Sequence, residues 1–344
     1  MNSRSARPRV LVISLGGTIA SVNLPGDVTK TRVTPQLGAR DLVGAIPQLA
    51  EIADIETLAF RIVPSGNLTF ADLVALAAEI KEQFAHGIDG VVITQGTDTI
   101  EETSFALDLL IGDTCPVVVT GAMRNPTSAG PDGPANVLAA VQVAASPSAR
   151  GVGTVVVFND EIHSARFVRK THSTSTATFR SPSVGPIGSL VEGQPRFFFR
   201  LPPIDGLSVN DGVEIKSVAL LTIALGDDGR ILAEIASLGY VGLVIEALGA
   251  GHVPEWLVET LEELAKKIPV VLTSRTGAGG ILNKTYGFPG SESDLLSRQL
   301  ISGGIFDGRK ARVFMSLWLA AGNDSESVAG AFDRLNSSVI WSGQ

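Results

Sequence analysis

Residues 9–20 read RVLVISLGGTIA, a short apolar run that ends at a pair of glycines. The run at residues 10–14 is rich in β-branched residues and apolar on both sides, which is typical of a buried strand in a parallel sheet. Gly16 and Gly17 allow a sharp backbone turn, and Thr18 then presents a hydroxyl group. A tight strand-to-helix connection capped by Thr18 explains the same residues. Taken alone, this stretch therefore predicts the local fold and does not identify a function.

The same alternation continues beyond this first strand. Short apolar runs that predict strands recur at residues 91–94, 117–120 and 154–158. Helical patterns lie between them at residues 69–84, 101–110 and 136–145. Buried strands separated by helices predict an α/β fold with a mostly parallel sheet flanked by helices.

The middle of the chain breaks this pattern. Residues 181–211 are rich in proline and glycine, which predicts a strand pair followed by a linker. Strand and helix patterns then resume, with strands at 218–224, 242–246 and 270–273 and helices at 229–237, 254–267, 309–321 and 325–335. We therefore predict a larger N-terminal domain at 1–200, a linker at 201–213 and a smaller C-terminal α/β domain at 214–344.

Composition excludes several classes of protein. Of the 344 residues, 44% are hydrophobic, and the formal net charge of −8 disfavours nucleic-acid binding. The single cysteine, Cys115, cannot build a disulfide framework, and the four histidines lack the spacing of a metal site. We therefore expect no metal. No apolar stretch reaches the roughly 18–20 residues of a membrane helix, and no signal peptide is recognisable, so we expect no membrane partner and a cytoplasmic location.

Two further polar segments are candidates for a functional site. One follows the predicted strand at 91–94, and the other comes after the predicted strand at 154–158. TQGTDT at residues 94–99 places the Thr97 hydroxyl beside the Asp98 carboxylate, although for this motif alone a helix cap formed by Asp98 or Thr99 is the better explanation. RFVRKTHS at residues 166–173 contains Lys170, which is either an exposed charge or a base that activates a nearby hydroxyl. Ligands bind beyond the carboxyl ends of strands in open parallel sheets, so these segments are candidates for a functional site.

Together the segments resemble the bacterial L-asparaginase and glutaminase-asparaginase family. The resemblance extends from about residue 9 to residue 335 and implies hydrolysis of a side-chain amide, most simply of L-asparagine to L-aspartate and ammonia, without a cofactor. It also implies a large N-terminal and a smaller C-terminal α/β domain, usually assembled as a homotetramer. The motifs that carry it are GGTIA at 16–20, LVGAIPQL at 42–49, QGTDTIEET at 95–103, TGAMR at 120–124, DGPAN at 132–136, RKT at 169–171, ATF at 177–179 and GRKARV at 308–313.

The resemblance implies a role for individual residues. Thr18 matches the nucleophile that forms an acyl-enzyme. Thr97 and Lys170 would activate a water molecule, and Asp98 would hold the α-amino group of the substrate. The implied substrate-binding residues are Gly17, Ser65, Gly96 and Ala122, of which Ser65 would bind the α-carboxylate and the peptide around Ala122 would contact the amide.

The chain departs from the family's pattern in the segment that follows GGTIA. The family has a tyrosine there, whereas this chain has only Tyr240 and Tyr286, and Arg32 lies near the tyrosine's place. A glutamate that supports the tyrosine also has no counterpart, and GAGH at 249–252 replaces an asparagine motif donated across a dimer. We therefore add Arg32 to the candidate substrate-binding residues.

These departures leave three alternatives open. The substrate could be another small or cyclic amide. Arg32 would select such a substrate by a bidentate contact with an added anionic group. The chain could instead be a subunit of a tRNA amidotransferase, or a non-catalytic binding protein with this fold. If the chain is an enzyme, we expect it to bind a small-molecule amide as substrate and to associate with itself as a homodimer or homotetramer.

Overall fold

The computed structural model describes residues 7–17, 19, 21–23, 33–35, 38–112 and 115–339, with the backbone alone at 21–23 and 33–35. The chain divides into two compact units, residues 1–206 and 207–344. Residues 198–217 contain no helix or strand, and the predicted linker at 201–213 falls within them. The assignment of separate domains to 1–200 and 214–344 stays a prediction.

The first unit contains most of the strands. Its strands are β1 (Arg9–Ser14), β2 (Ser21–Asn23), β3 (Val33–Pro35), β4 (Asp54–Ala59), β5 (Gly90–Thr94), β6 (Val117–Thr120), β7 (Thr154–Phe158), β8 (Glu161–Ser164), β9 (Arg169–Lys170), β10 (Phe179–Arg180), β11 (Gly188–Val191) and β12 (Gln194–Phe197). Its α-helices are α1 (Ala39–Gly44), α2 (Leu49–Ile52), α3 (Phe70–Ala85), α4 (Ile100–Ile111) and α5 (Gly133–Ala144).

Eight of these strands form one sheet in the order β12-β11-β8-β7-β6-β5-β1-β4. The pairs from β4 through β1, β5 and β6 to β7 are parallel, whereas β8, β11 and β12 add an antiparallel edge. The predicted α/β fold with a mostly parallel sheet is therefore confirmed. Separate two-stranded sheets pair β9 with β10 and β2 with β3.

The centre of this sheet is apolar on both faces, as its sequence predicts. Every residue of β5, β6 and β7 is buried, because helices cover both sides. The approach of α5 is so close that a side-chain carbon at Gly90 would lie 2.2 Å from the carbonyl oxygen of Ala144. On the other helical layer, α3 begins at a capping box in which Thr69 accepts a hydrogen bond from the backbone of Asp72.

A buried ion pair connects helix α4 to the sheet. The Asp108 carboxylate lies 3.1 Å from Nε of Arg166, and both side chains are only 3% exposed. Asp108 also accepts a hydrogen bond of 2.7 Å from the backbone of Thr154, at the start of β7. Arg166 donates a further bond of 2.6 Å to the carbonyl of Pro202. A buried charge pair of this kind is destabilising unless its remaining groups are hydrogen-bonded, and here they are.

The second unit is a smaller α/β layer structure. Its four strands are all parallel, in the order β13 (Val218–Thr222), β14 (Gly242–Ala247), β15 (Val270–Ser274) and β16 (Ile301–Ser302). The helices are α6 (Arg230–Glu234), α7 (Val258–Ala265), α8 (Glu292–Ser297), α9 (Gly308–Ala320) and α10 (Val328–Ser337). Among the helices of the described residues, none is both long and apolar enough to cross a membrane.

His163 of β8 is a buried titratable group of the first unit. Its Nδ1 lies 3.0 Å from Ser181 Oγ, and its Nε2 lies 3.3 Å from a carboxylate oxygen of Glu161. Glu161 is itself paired with Arg180 at 2.7 Å. Burial lowers the pKa of His163 below its ordinary value of 6.5, and this effect exceeds the opposite effect of the Glu161 carboxylate.

We predict that His163 makes the stability of the chain depend on pH. The unfolded chain binds a proton near the ordinary pKa of 6.5, whereas the buried ring takes it up only at lower pH. The contribution of His163 to the free energy of unfolding is therefore fully present above about pH 6.5. It is lost as the pH falls below this value, at up to about 1.4 kcal/mol per pH unit. The fall in Tm between about pH 7.5 and about pH 5.5 should be smaller in His163→Gln than in the wild type. His86→Gln, at an exposed histidine, is the control. An equal fall in all three proteins would contradict the prediction.

Candidate active site

The candidate site lies at the carboxyl ends of β1 and β5, which are neighbours in the sheet. Ser14 is in register with Thr94, and the N–H of Leu15 donates a hydrogen bond of 2.8 Å to the carbonyl of Thr94. The turns that follow the two strands therefore run side by side. Two predicted site residues, Thr18 and Arg32, lie outside the described part of the chain, so their roles stay predictions.

The two turns approach one another at glycines. A side-chain carbon at Gly17 would lie 2.0 Å from the backbone nitrogen of Gly96, and Gly17 has a φ of +92°. Only glycine fits this combination of contact and backbone conformation. A side-chain carbon added to Gly96 itself would lie 2.8 Å from Ser65 Oγ. The structure thus brings the predicted residues Gly17, Gly96 and Ser65 together, with Ser65 buried.

Lys170 links two predicted site residues. Its Nζ donates hydrogen bonds of 2.9 Å to Thr97 Oγ1 and 2.6 Å to Asp98 Oδ1. The lysine side chain is only 15% exposed, so it is not a solvated surface charge, whereas that of Asp98 is 79% exposed. Thr97 accepts the bond from the ammonium group and keeps its own hydroxyl proton to donate elsewhere. The arrangement suits proton transfer at a hydroxyl or water molecule, with the second Asp98 oxygen open to a ligand.

The segment after Lys170 is held by bonds within itself. The Thr178 hydroxyl accepts a bond of 3.0 Å from the backbone N–H of His172 and donates to the carbonyl of the same residue. His172 Nδ1 accepts bonds of 3.0 Å from the N–H groups of Thr174 and Ser175. Nδ1 is therefore the acceptor nitrogen of the ring. The sequence signal for this loop is the density of serine and threonine around His172.

A second chain of hydrogen bonds supports Ser65. The buried Gln95 amide donates to Thr99 Oγ1 at 3.3 Å, and the Thr99 hydroxyl donates to the carbonyl of Ser65 at 3.2 Å. Thr99 occupies the N-cap position of α4 but makes no side-chain capping bond. Its hydroxyl therefore positions the Ser65 turn, and Asp98 pairs with Lys170, so neither residue acts as the helix cap that the sequence also allowed.

The peptide around Ala122 is fixed by an aspartate that sequence reasoning left without a role. The backbone N–H groups of Met123 and Arg124 donate to the Asp132 carboxylate at 3.0 and 2.9 Å. Asn136 adds a bond of 3.2 Å from its side-chain amide. Ala122 itself is buried beside this anchor. The signal for the anchor was the DGPAN motif, in which a carboxylate immediately precedes a helix.

Metal binding has no visible support in the described residues, where no group of three His, Cys, Asp or Glu side chains could hold an ion. The side chains of Lys170 and Asp98 bring an ammonium group and a carboxylate into contact at the site. Together with Thr97 and Ser65 they offer hydroxyl, carboxylate and ammonium groups for chemistry.

Comparison with known proteins identifies the family. The model of the asparaginase N-terminal domain matches residues 9–202, and that of the glutaminase/asparaginase C-terminal domain matches residues 217–332. The L-asparaginase of Bacillus licheniformis is 34% identical over 91% of this chain and 96% of the relative. The glutaminase-asparaginase of Pseudomonas fluorescens biotype A is 31% identical over 96% and 92%.

A solved structure supports the same relationship. The crystal structure of a probable cytoplasmic L-asparaginase from Campylobacter jejuni superposes with a TM-score of 0.83 at 33% sequence identity. The match covers 95% of this chain and 99% of the other. The chain therefore belongs to the asparaginase family, and the resemblance seen in the sequence motifs is confirmed.

We predict that the Gly17 contact does not tolerate a methyl group. Gly17→Ala would place a carbon 2.0 Å from the Gly96 backbone and hold alanine at a φ of +92°. Backbone must move to accept it, and we expect destabilisation of about 3 kcal/mol or more. The matched control is Gly66→Ala, since Gly66 is exposed in the same site and a side-chain carbon there has no atom within 4 Å. Thermal unfolding should show a large fall in Tm for the first variant and almost none for the second. Similar Tm values for both would show that the turns can separate freely.

Proposed function

We propose that this protein hydrolyses the side-chain amide of L-asparagine to L-aspartate and ammonia. The observation that carries the proposal is the contact of the enclosed Lys170 ammonium with Thr97 and Asp98, at the end of a strand beside the glycine turn that leads to Thr18. The names of the relatives, L-asparaginase and glutaminase-asparaginase, support the substrate.

The reaction would proceed in two steps. In the first, the Thr18 oxygen bonds to the amide carbon and the carbon–nitrogen bond breaks, so that ammonia leaves with the hydroxyl proton and an ester to Thr18 remains. In the second, a water oxygen bonds to the same carbon and the ester bond to Thr18 breaks, so that one water proton returns to the Thr18 oxygen and L-aspartate leaves. A threonine hydroxyl needs a base to become a useful nucleophile, so proton transfer is assigned to Thr97 and Lys170.

The substrate's charged groups would bind at the rim of the site. One carboxylate oxygen of Asp98 accepts a hydrogen bond from Lys170. The Asp98 carboxylate is exposed, so it can also accept bonds from the α-ammonium group of a substrate. Ser65, held against Gly96, would donate its hydroxyl to the α-carboxylate. Gly17, Gly96 and the peptide around Ala122 would contact the rest of the substrate.

Ammonia release from a panel of amides tests this proposal. The panel contains L-asparagine, L-glutamine, asparagine analogues with an added carboxylate, and small cyclic amides. Preference for L-asparagine supports the proposal. Failure of the wild type to release ammonia from any member would contradict it and favour a non-catalytic protein with this fold.

A related amide is the second candidate substrate, and the observation that favours it is Arg32 near the place of the family's tyrosine. A guanidinium group there would favour a substrate with an additional anionic group. In the same panel, Arg32→Ala should then change the ranking of substrates. A uniform loss on all of them would show that Arg32 does not select the substrate.

We predict that two substitutions separate the nucleophile from the proton-transfer group. Thr18→Ala should abolish ammonia release, because no oxygen remains to form the ester. Lys170→Met keeps most of the side-chain length and should lower kcat by at least about a hundredfold, the lower range for loss of a general base. Lys81→Met, at an exposed lysine of α3, is the control and should retain normal kcat. Normal activity in either active-site variant would refute the role given to that residue.

We further propose that the protein assembles as a homodimer or homotetramer and acts in the cytoplasm. The assembly is implied by the resemblance to the family, and the location is supported by the description of the Campylobacter jejuni relative as cytoplasmic. Light scattering at micromolar concentration should give two or four times the monomer mass of 35.8 kDa. A mass equal to that of the monomer would contradict the proposed assembly.

A further inference from the structure

Glu101 is a buried acid immediately beside the candidate site. It belongs to the first turn of α4 and is only 2% exposed. Carboxylates are almost never buried to this extent without a partner. Its Oε2 accepts a hydrogen bond of 3.2 Å from the backbone N–H of Lys170. The contact joins two segments that lie 69 residues apart in the chain.

The contact matters because β9, which contains Lys170, is not part of the main sheet. Its two residues pair only with β10, in a separate two-stranded sheet. Thr97 and Asp98, in contrast, directly follow β5 at the centre of the main sheet. The pairing of β9 with β10 therefore does not fix the distance from Lys170 to its two partners, and contacts between the segments must do so.

Both ends of Lys170 are held by the same short piece of chain. The ammonium group contacts Thr97 and Asp98, and the backbone N–H contacts Glu101. Residues 97–99 form a 3-10 turn that continues directly into α4, in whose first turn Glu101 lies. A lysine side chain is a flexible four-carbon stem, so holding its backbone and its charged end on one rigid element restricts where the ammonium can go.

We propose that Glu101 is a positioning residue that holds the backbone of Lys170 so that its ammonium group reaches Thr97 and Asp98. The inference rests on the proposed function, since it assigns Glu101 to the proton-transfer step. In this role Glu101 acts through its hydrogen-bond acceptor and the reach of its side chain. A displacement of about 1 Å in a catalytic group can lower a rate by about a hundredfold, so this positioning affects kcat more than KM.

Two substitutions separate reach from charge. Glu101→Gln keeps an acceptor oxygen at the same distance and removes the charge, and its kcat should stay within about threefold of the wild type. Glu101→Asp keeps the charge but withdraws the oxygens by one methylene, and its kcat should fall at least about thirtyfold with KM within about threefold. Asp108→Asn is the matched control, because it changes another buried acid of α4 that contacts Arg166 and Thr154. It should lower Tm and leave kcat within about threefold.

Crystal structures of the two variants give a readout that does not depend on activity. The distance from Lys170 Nζ to Thr97 Oγ1 should stay near 2.9 Å in Glu101→Gln and should exceed hydrogen-bond reach, about 3.5 Å, in Glu101→Asp. Equal kcat losses in both variants, a larger loss in Glu101→Gln, or an unmoved Nζ in Glu101→Asp would overturn the inference. A comparable kcat loss in Asp108→Asn would overturn it as well, because the effect would then follow from helix stability. A wild type that releases no ammonia would refute the proposed function alone, and the two crystal structures would still decide the positioning role.

Discussion

The near-contact of two backbone turns, at Gly17 and Gly96, is the constraint on which the rest of the site depends. The turns follow adjacent parallel strands, so the sheet itself brings them together, and the absence of side chains lets them close to within van der Waals distance. This contact leaves the space on the far side of Gly96 for Ser65. It also fixes the direction in which the chain leaves β5, and therefore where Thr97 and Asp98 lie. The sheet order determines the site geometry before any polar contact forms.

Helix α4 then connects this site to the frame of the unit. Every residue of the helix except Glu102 is buried, including Glu101 and Asp108, although acids ordinarily avoid the interior. Asp108 joins the helix to β7 and to Arg166, whereas Glu101 joins it to the backbone of Lys170. Each acid is stabilised by hydrogen bonds to groups from distant parts of the chain, which is the condition under which buried charge is tolerated. Through these two acids, the buried helix holds distant segments of the chain together by hydrogen bonds inside an otherwise apolar core.

The sequence predicted the central strands and the fold class, because continuous runs such as residues 91–94 and 117–120 are apolar on both faces. Strand β4 escaped prediction, since DIETLA is partly exposed and resembles a surface segment. The short strands β8–β10 lack the length needed for a periodic signal. Within the site, the strand-end motifs pointed to Thr97, Asp98 and Lys170, but Glu101 and Asp132 looked like ordinary residues of helix starts. Their roles depend on partners distant in sequence, which no local pattern contains.

The position of β1 in the sheet has a consequence for how the chain folds during synthesis. The strand lies between β4 and β5, so Val10 pairs with Ile55 on one side and with Gly90 on the other. This apolar strand therefore lacks its second neighbour until the chain has extended from Val10 to Gly90, roughly 80 residues further on. Ribosomes add about 5–20 residues per second, so the wait lasts for seconds. Parallel pairing over such sequence distances is slow and exposes the chain to aggregation, so β1 contributes to that exposure until β5 pairs with it.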